Sequence, residues 1–206
     1  MTAIPELDLQ RVQRIRKAVL LVGIVAVVGL AAVTRMTGET SLHEAVEGVG
    51  LALIVVCIVG RAWCSLYIGG RKKAEIVTGG PYSLCRNPLY LFSFIGAFGM
   101  GAQTGSIVIA LLFVVIAFAV FYVTVRQEEV WLTATFGDEY RAYCARTPRF
   151  WPRFSKWRDT DTIEVRPVFF LTTLRDGLAF FLAIPIFEAL EQAQAVGWVQ
   201  VLFSMP

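Results

Sequence analysis

Residues 106–125 read SIVIALLFVVIAFAVFYVTV, twenty consecutive positions without a charge. As a helix rising ~1.5 Å per residue, such a run is about as long as a bilayer's hydrocarbon core is thick, ~30 Å. Inside lipid each backbone N–H and C=O must be bonded within the chain, which leaves a helix as the natural form for one continuous apolar run. Three more runs follow the same pattern. Residues 18–33 are sixteen without charge, residues 49–68 are twenty interrupted only by Arg61, and residues 89–102 are fourteen rich in Gly and Phe. One short apolar run fits the core of a soluble domain, but four in 206 residues do not. The composition agrees, with 56% hydrophobic residues and a mean hydropathy of +0.63. The expectation is an all-α, polytopic integral membrane protein, with residues 1–206 forming one domain.

Lys and Arg set the expected orientation. With the N-terminus inside and four alternating spans, 18 of the 19 basic residues lie on the inner side and only Arg35 lies outside. The cluster Arg11, Arg14, Arg16 and Lys17 suits a first membrane helix better than a signal peptide, because it lies deep in the chain behind Glu6 and Asp8. Residues 34–44 are the expected outer connection, and 103–105 a tight turn between antiparallel helices. The N-terminal pair of helices then covers 18–78, a central core 79–150 and a C-terminal part 151–206. In that last part Arg175 and Asp176 divide an apolar stretch. The reading is an interfacial helix to about Arg175 and a fifth span from about Gly177, kinked at Pro185, with a re-entrant hairpin as the alternative. Glu188 and Glu191 should face protein, water or the far interface.

Several function classes are excluded on composition and motif. A net charge of +3, dispersed along the chain, gives no reason to expect a nucleic-acid partner. No C-x-x-C occurs, and the single histidine, His43, falls in the expected outer loop, so no metal is expected. Cys57 and Cys64 share a helix face and read as packing, while Cys85 and Cys144 fall on the reducing side. There is no phosphate-binding G-x-x-x-x-G-K and no G-x-S-x-G. The triplets Gly48-Val49-Gly50 and Gly99-Met100-Gly101 read as sites of close helix approach.

The segment GGPYSLCRNPLY, residues 79–90, looks unlike the apolar runs around it. Gly79, Gly80 and Pro81 prevent a continuous helix, and Pro88 pushes Asn87 toward extended backbone before opening the next helix. That helix start presents first-turn amides and a partial positive charge. Arg86 lies beside it, and Tyr82 and Tyr90 flank it. This is either an anion-friendly pocket or a loop whose Arg86 meets lipid headgroups.

A second polar stretch follows the uncharged run: RQEEVWLTATFGDEYRAYCARTPRFWPRF. Leu132, Phe136, Tyr140 and Tyr143 recur at helical spacing, so the fourth span should run on into an amphipathic cytosolic helix. Glu128 and Glu129 sit at the junction. The third and fourth spans form a hairpin, which returns Asn87 and Glu128 to the same membrane face. There the two carboxylates either end the span and stay solvated, or one faces Arg86 and the other a cationic ligand.

These two stretches carry a resemblance. GPYSLCRNPLY, followed about forty residues later by EEVWLTATFGDEYRAY, resembles the isoprenylcysteine carboxyl methyltransferase family, within a broader group that includes phospholipid N-methyltransferases. The similarity covers residues 79–143, about a third of the chain. It implies a small helical membrane enzyme, in contact with membrane lipids, that takes S-adenosyl-L-methionine from the cytosol and methylates a lipophilic small-molecule or lipid-modified substrate. It implies cofactor contacts at Tyr82, Asn87, Pro88, Leu89, Tyr90 and Glu128, and, through the residues just before the glycine, at Ile76 and Val77. Two positions depart from the family pattern: Phe92 stands where a glycine is usual, which should narrow the pocket, and Thr124 where carboxyl methyltransferases carry a substrate-facing Arg.

Methyl transfer to either acceptor is an in-line displacement, in which alignment and exclusion of water do most of the work. A carboxylate acceptor needs only a cation to hold it, a role for Arg86. An amine acceptor needs a base, a role for Glu129. The three readings are a methyltransferase for a membrane-embedded carboxylate or thiol-linked lipid, a phospholipid N-methyltransferase, and a scaffold that kept the fold without the chemistry.

Overall fold

The structure is a computed structural model and describes residues 6–36, 40–71 and 74–205. It is helical, apart from one short parallel β pair. The long helices are α1 (Glu6–Val33), α2 (Thr40–Ile68), α4 (Pro88–Ala102) and α5 (Ile107–Phe136). The short helices α3 (Pro81–Leu84) and α6 (Asp138–Arg146) lie between or after them, and the chain closes with α7 (Pro167–Leu178) and α8 (Ala183–Ala195). Strands β1 (Thr34–Met36) and β2 (Phe203–Met205) pair in parallel, Thr34 opposite Phe203. An all-α reading does not foresee that pair. It ties the end of α1 to the end of the chain, where Gln194 Nε2 also donates to the carbonyls of Ala31, Ala32 and Thr34.

The helices alternate in direction. α4 packs between α2 and α5, α7 packs on the other side of α2, and α1 packs mainly on α5 rather than on α2, its neighbour in sequence. Ser41–Ile68, Ile107–Phe136 and Pro167–Ala195 are each long and apolar enough to cross a membrane, and Leu21–Val33 and Pro88–Ala102 are shorter apolar helices. The outward faces carry Leu21, Val22, Val25, Val59, Val115 and Val123, all more than half exposed. In water a belt of that size would be an aggregation surface; in lipid it is solvent-matched.

The centre of the bundle depends on small residues. A Cβ at Gly99 would lie 2.7 Å from the Gly50 carbonyl oxygen and 3.0 Å from the Ile54 amide nitrogen. These are backbone atoms and cannot swing aside. The two glycines therefore set the distance between α2 and α4, as the G-x-G triplets suggest. Gly60 likewise takes the ring of Phe92 against its Cα, and Phe92 meets Trp63 edge-on at 6.5 Å.

The C-terminal third departs from expectation. The helix does not break at Arg175 and Asp176, which lie inside α7 and pair with each other at 3.6 Å. α7 passes through a 3₁₀ turn, Ala179–Leu182, into α8. Pro185 accounts for the tightening: it supplies no N–H to the turn before it, and its ring crowds the carbonyl four residues back. The re-entrant hairpin is not adopted, because the chain runs on until Glu191 meets His43 at 3.4 Å. His43 itself is on the first turn of α2, not in a loop; residues 37–39 of the expected outer connection lie outside the described residues.

Replacing Gly99 with Ala should destabilise the bundle by about 1–3 kcal/mol, the usual cost of overpacking. Thermal unfolding of the purified protein in detergent checks this; an unchanged midpoint would mean that α2 and α4 separate without penalty.

Candidate active site

Every feature of the site follows from the irregular backbone at residues 79–87. Gly80 has φ 55° and ψ −132°, a conformation that side chains other than hydrogen exclude, and a Cβ there would strike the Tyr67 ring at 2.3 Å. Pro81 then opens α3, and Pro88 opens α4 with Asn87 as its N-cap. The Asn87 side chain does not cap the helix. Its Nδ2 donates to the Arg149 carbonyl at 3.3 Å instead.

That bond is one of several to a strap formed by residues 147–160, which carries a single 3₁₀ turn, Phe154–Lys156. Arg86 N–H donates to Pro148 O at 2.8 Å, Arg153 N–H to Leu84 O at 3.1 Å, and Gly80 N–H to Arg158 O at 2.8 Å. Arg158 N–H donates in turn to Ser83 Oγ at 3.1 Å. From below, Tyr143 Oη–H donates to Tyr82 O at 2.8 Å, and Tyr67 Oη–H reaches the Asp159 carboxylate at 3.0 Å. The polar segment after α6 thus satisfies the loop's backbone groups.

The fourth span does run on as one helix to Phe136, then stops at Gly137. α6 restarts at once and buries Tyr140 and Tyr143 beneath the loop. Between this floor and the start of α4 is a cleft of about 140 Å³, widening to about 760 Å³ with its open mouth. Its lining includes Ile76, Val77, Tyr82, Arg86, Asn87, Leu89, Tyr90, Glu128 and Glu129. Among the sequence-predicted residues only Pro88 is not on the wall; it is buried at the first position of α4 and sets the backbone there. Asn87 and Glu128 share this one cleft. Phe92 does not line it, so the expected narrowing does not arise. Thr124 is buried, and its hydroxyl donates to Val120 O at 3.1 Å.

The adjacent carboxylates have different partners. Tyr90 Oη–H donates to Glu128 Oε1 at 3.1 Å. Glu129 is held by two guanidinium groups: Arg149 donates through Nε and Nη2 at 2.8–3.1 Å, and Arg86 Nη1 lies 3.2 Å from Oε1. Arg86 also donates to Cys144 Sγ, while its Nε is buried without a partner among the described residues. The bond to Glu129 raises the Arg149 pKa further above its usual value. Burial, ahead of neighbouring charges, raises the Tyr82, Tyr140 and Tyr143 phenols and pushes the Cys85 thiol up to about 11. The tyrosine wall is therefore neutral, and Cys85 is not a thiolate nucleophile at neutral pH.

Arg149, Leu132, Tyr140 and Tyr143 are lining or bracing residues that the motif reading did not assign to the site. The spacing of the last three along one helix face was visible in the sequence. Arg149 lies in an irregular run, RTPRFWPRF, with no periodicity to aim it.

A second cavity, of about 500 Å³, opens among the helices on the other side of the same wall. Val27, Phe113, Ile116 and Phe121 give it a largely apolar lining, Arg61 and Ser93 are also on its wall, and Leu89, Tyr90 and Glu128 border both spaces. At the opposite end of the bundle His43, Glu47 and Glu191 bring their donor atoms within 4.8 Å of one another. Imidazole and carboxylate suit several divalent metals, so the expectation of a metal-free protein is not carried forward.

A family model described as phospholipid methyltransferase matches residues 48–139. The chain is 37% identical over 185 residues to the nickel-cobalt-cadmium resistance protein NccN of Alcaligenes xylosoxydans xylosoxydans, covering 89% of this chain and 86% of that one. It is 35% identical over 157 residues to the cobalt-zinc-cadmium resistance protein CzcN of Cupriavidus metallidurans, covering 76% and 72%. The protein-S-isoprenylcysteine O-methyltransferase of Schizosaccharomyces pombe is 32% identical over 90 residues, 43% of this chain and 38% of that one. No solved structure matches the chain significantly.

Helices and motif together define a multi-pass membrane protein of the group that holds the isoprenylcysteine and phospholipid methyltransferases. Within it, the chain belongs to the family of NccN and CzcN.

Arg149→Met should lower stability by about 1.5–3 kcal/mol, the worth of hydrogen bonds to a charged group, as Glu129 loses its two-pronged partner. Denaturant or thermal unfolding in detergent measures it; a neutral result would show that Arg86 alone holds Glu129.

Proposed function

We propose that the protein is an S-adenosyl-L-methionine-dependent methyltransferase that works at the cytosolic edge of the bilayer on a lipophilic acceptor. The observation that carries this is the pair of cavities meeting at Leu89, Tyr90 and Glu128. The first is lined by Arg86, Asn87, Glu128, Glu129 and four tyrosines; the second lies among the helices and is lined mostly by aliphatic and aromatic side chains, with Arg61 and Ser93 on its wall. A water-soluble methyl donor and a membrane-borne acceptor would meet at that shared wall.

Each residue has a physical role in this reading. The first-turn amides of α4 receive the methionine carboxylate of the donor, aided by the helix dipole. Glu128, oriented by Tyr90, takes the ammonium group. Tyr82, Asn87, Ile76 and Val77 line the nucleoside side, and the aromatic faces favour the sulfonium cation. Pro88 and Leu89 fix the wall's backbone. Arg86 supplies positive charge at the cleft. Glu129, engaged by two guanidiniums, has little lone-pair capacity left to accept a proton, so its role is to position Arg86 rather than to act as a base. The donor supplies an activated methyl group, and the protein aligns it and excludes water.

A membrane-embedded carboxylate or thiol-linked lipid is the first reading for the acceptor. A phospholipid amine is the second, favoured by Thr124 in place of an arginine. The metal-resistance names of two relatives suggest that the modified lipid or protein serves a cell under metal stress. They do not move the methyl-transfer site, since His43, Glu47 and Glu191 lie at the far end.

Glu128→Gln should weaken S-adenosylhomocysteine binding by roughly tenfold or more, because a charge-assisted bond to the ammonium is lost. Isothermal titration reads this directly, and unchanged affinity would remove Glu128 from the cofactor site. Incubating membranes with radiolabelled donor should label an extractable lipid or protein. Label released by mild base marks a methyl ester, and base-stable label marks an amine; no transfer, with no donor binding, would leave the scaffold reading.

A further inference from the structure

Arg61 interrupts the apolar run of α2 and does not reach out of the bundle. Its Nη1 donates to Ser93 Oγ, its Cζ lies 5.9 Å from the centroid of the Phe180 ring, and its Nε is buried with no hydrogen-bond partner among the described residues. Among the described residues no carboxylate forms an ion pair with it. It is a cation on the wall of the 500 Å³ cavity, whose lining is otherwise mostly apolar apart from Ser93 and Glu128. A charge in such a place marks a binding or transport function unless a partner neutralises it.

Its position along the wall gives it a use. Ser93 lies one helical turn from Leu89, whose carbonyl accepts from the Ser93 hydroxyl at 2.9 Å. Leu89 and Tyr90 border both cavities. The guanidinium thus stands about one turn, ~5.4 Å, deeper in the membrane than the wall the two cavities share.

We propose that Arg61, with Ser93 beside it, binds the oxyanion of the methyl acceptor, a carboxylate or phosphate borne on an apolar chain that fills the cavity. This rests on the methyltransferase reading above and narrows its substrate to an anionic amphiphile. If the oxyanion is a carboxylate, one of its oxygens attacks the S-methyl carbon. The new O–C bond forms as the C–S bond breaks, sulfur keeps the electron pair, and a neutral ester is left. The ester no longer holds the guanidinium's charge, which favours its release. If the oxyanion is a phosphate, it stays on Arg61 while an amine of the same lipid, having given its proton to water, takes the methyl.

The test uses the full-length protein in detergent, with radiolabelled oleic acid as probe and methyl oleate and oleyl phosphate as competitors. Wild type should bind an anionic form about tenfold or more tightly than the neutral ester, as a charge-assisted bond to a guanidinium requires. Which anion binds better separates the carboxylate from the phosphate source. Arg61→Gln should bring the ester and the anions to within about twofold, and Arg61→Lys should keep part of the preference. A wild type that does not prefer anions, or a Gln variant that keeps the preference, overturns the proposal. If Arg61 only clasps α2 to α4, the Gln variant unfolds earlier but retains its selectivity. Should it not fold, Ser93→Ala carries the test, and an unaltered preference counts against the site. S-adenosylhomocysteine titrated into the same samples separates the two readings: if wild type fails to bind it but prefers anions, the methyltransferase reading falls and the oxyanion site stands.

Discussion

The constraint on which the site depends is that irregular backbone at a membrane edge must have its N–H and C=O groups bonded. Residues 79–87 are neither helix nor strand for most of their length. The strap at 147–160 meets this need through the bonds of Gly80, Arg86 and Leu84 to Arg158, Pro148 and Arg153. Tyr143 adds a hydroxyl bond from the helix beneath. Each of those groups left unpaired would cost about 1–3 kcal/mol, so the loop has little freedom to adopt another shape. A cleft built on a mobile loop could not hold a ligand in one attack geometry, and one built on a bonded loop can.

The same strap brings Arg149 to Glu129, and this separates the roles of two neighbouring carboxylates. Side by side in sequence, Glu128 and Glu129 would repel each other if both stayed charged in the same low-dielectric space. Two guanidiniums compensate Glu129. Glu128 remains on the wall of both cavities, oriented by Tyr90.

The sequence made much of this visible and left some of it hidden, for identifiable reasons. The apolar runs are long-range averages over many residues, so the helices and their alternation could be read directly. The loop signals at Gly79, Gly80, Pro81 and Pro88 are local and strong, and the hairpin of α4 and α5 forces Asn87 and Glu128 together. Arg149, the strap and the β pair depend on contacts across the fold that no periodicity records. The division at Arg175 and Asp176 misled because charge alone suggested a boundary. The helix passes through, since two opposite charges side by side can offset each other, and the real irregularity is the 3₁₀ turn at Ala179–Leu182, ahead of the proline. Phe92 misled in another way: its bulk is taken up by Gly60 on α2, so a change that looked like a narrowed pocket is a packing exchange between two helices.

The first turn of α4 is therefore a partition more than a wall. Pro88 starts it without an N–H, Leu89 and Tyr90 face both spaces, and Ser93 one turn on meets Arg61. Along about two turns of helix the lining passes from helix-start amides and a carboxylate to a guanidinium surrounded by apolar side chains. Placing that guanidinium within a membrane helix costs about 2.5–3.5 kcal/mol on insertion scales. A serine bond and an aromatic face offset only part of it, and an aliphatic side chain would pack the same gap at no such cost. The sequence keeps the cation where an amphiphile's head would come to rest beside the partition, and the gradient of polarity along α4 gives such a molecule only one direction in which to enter.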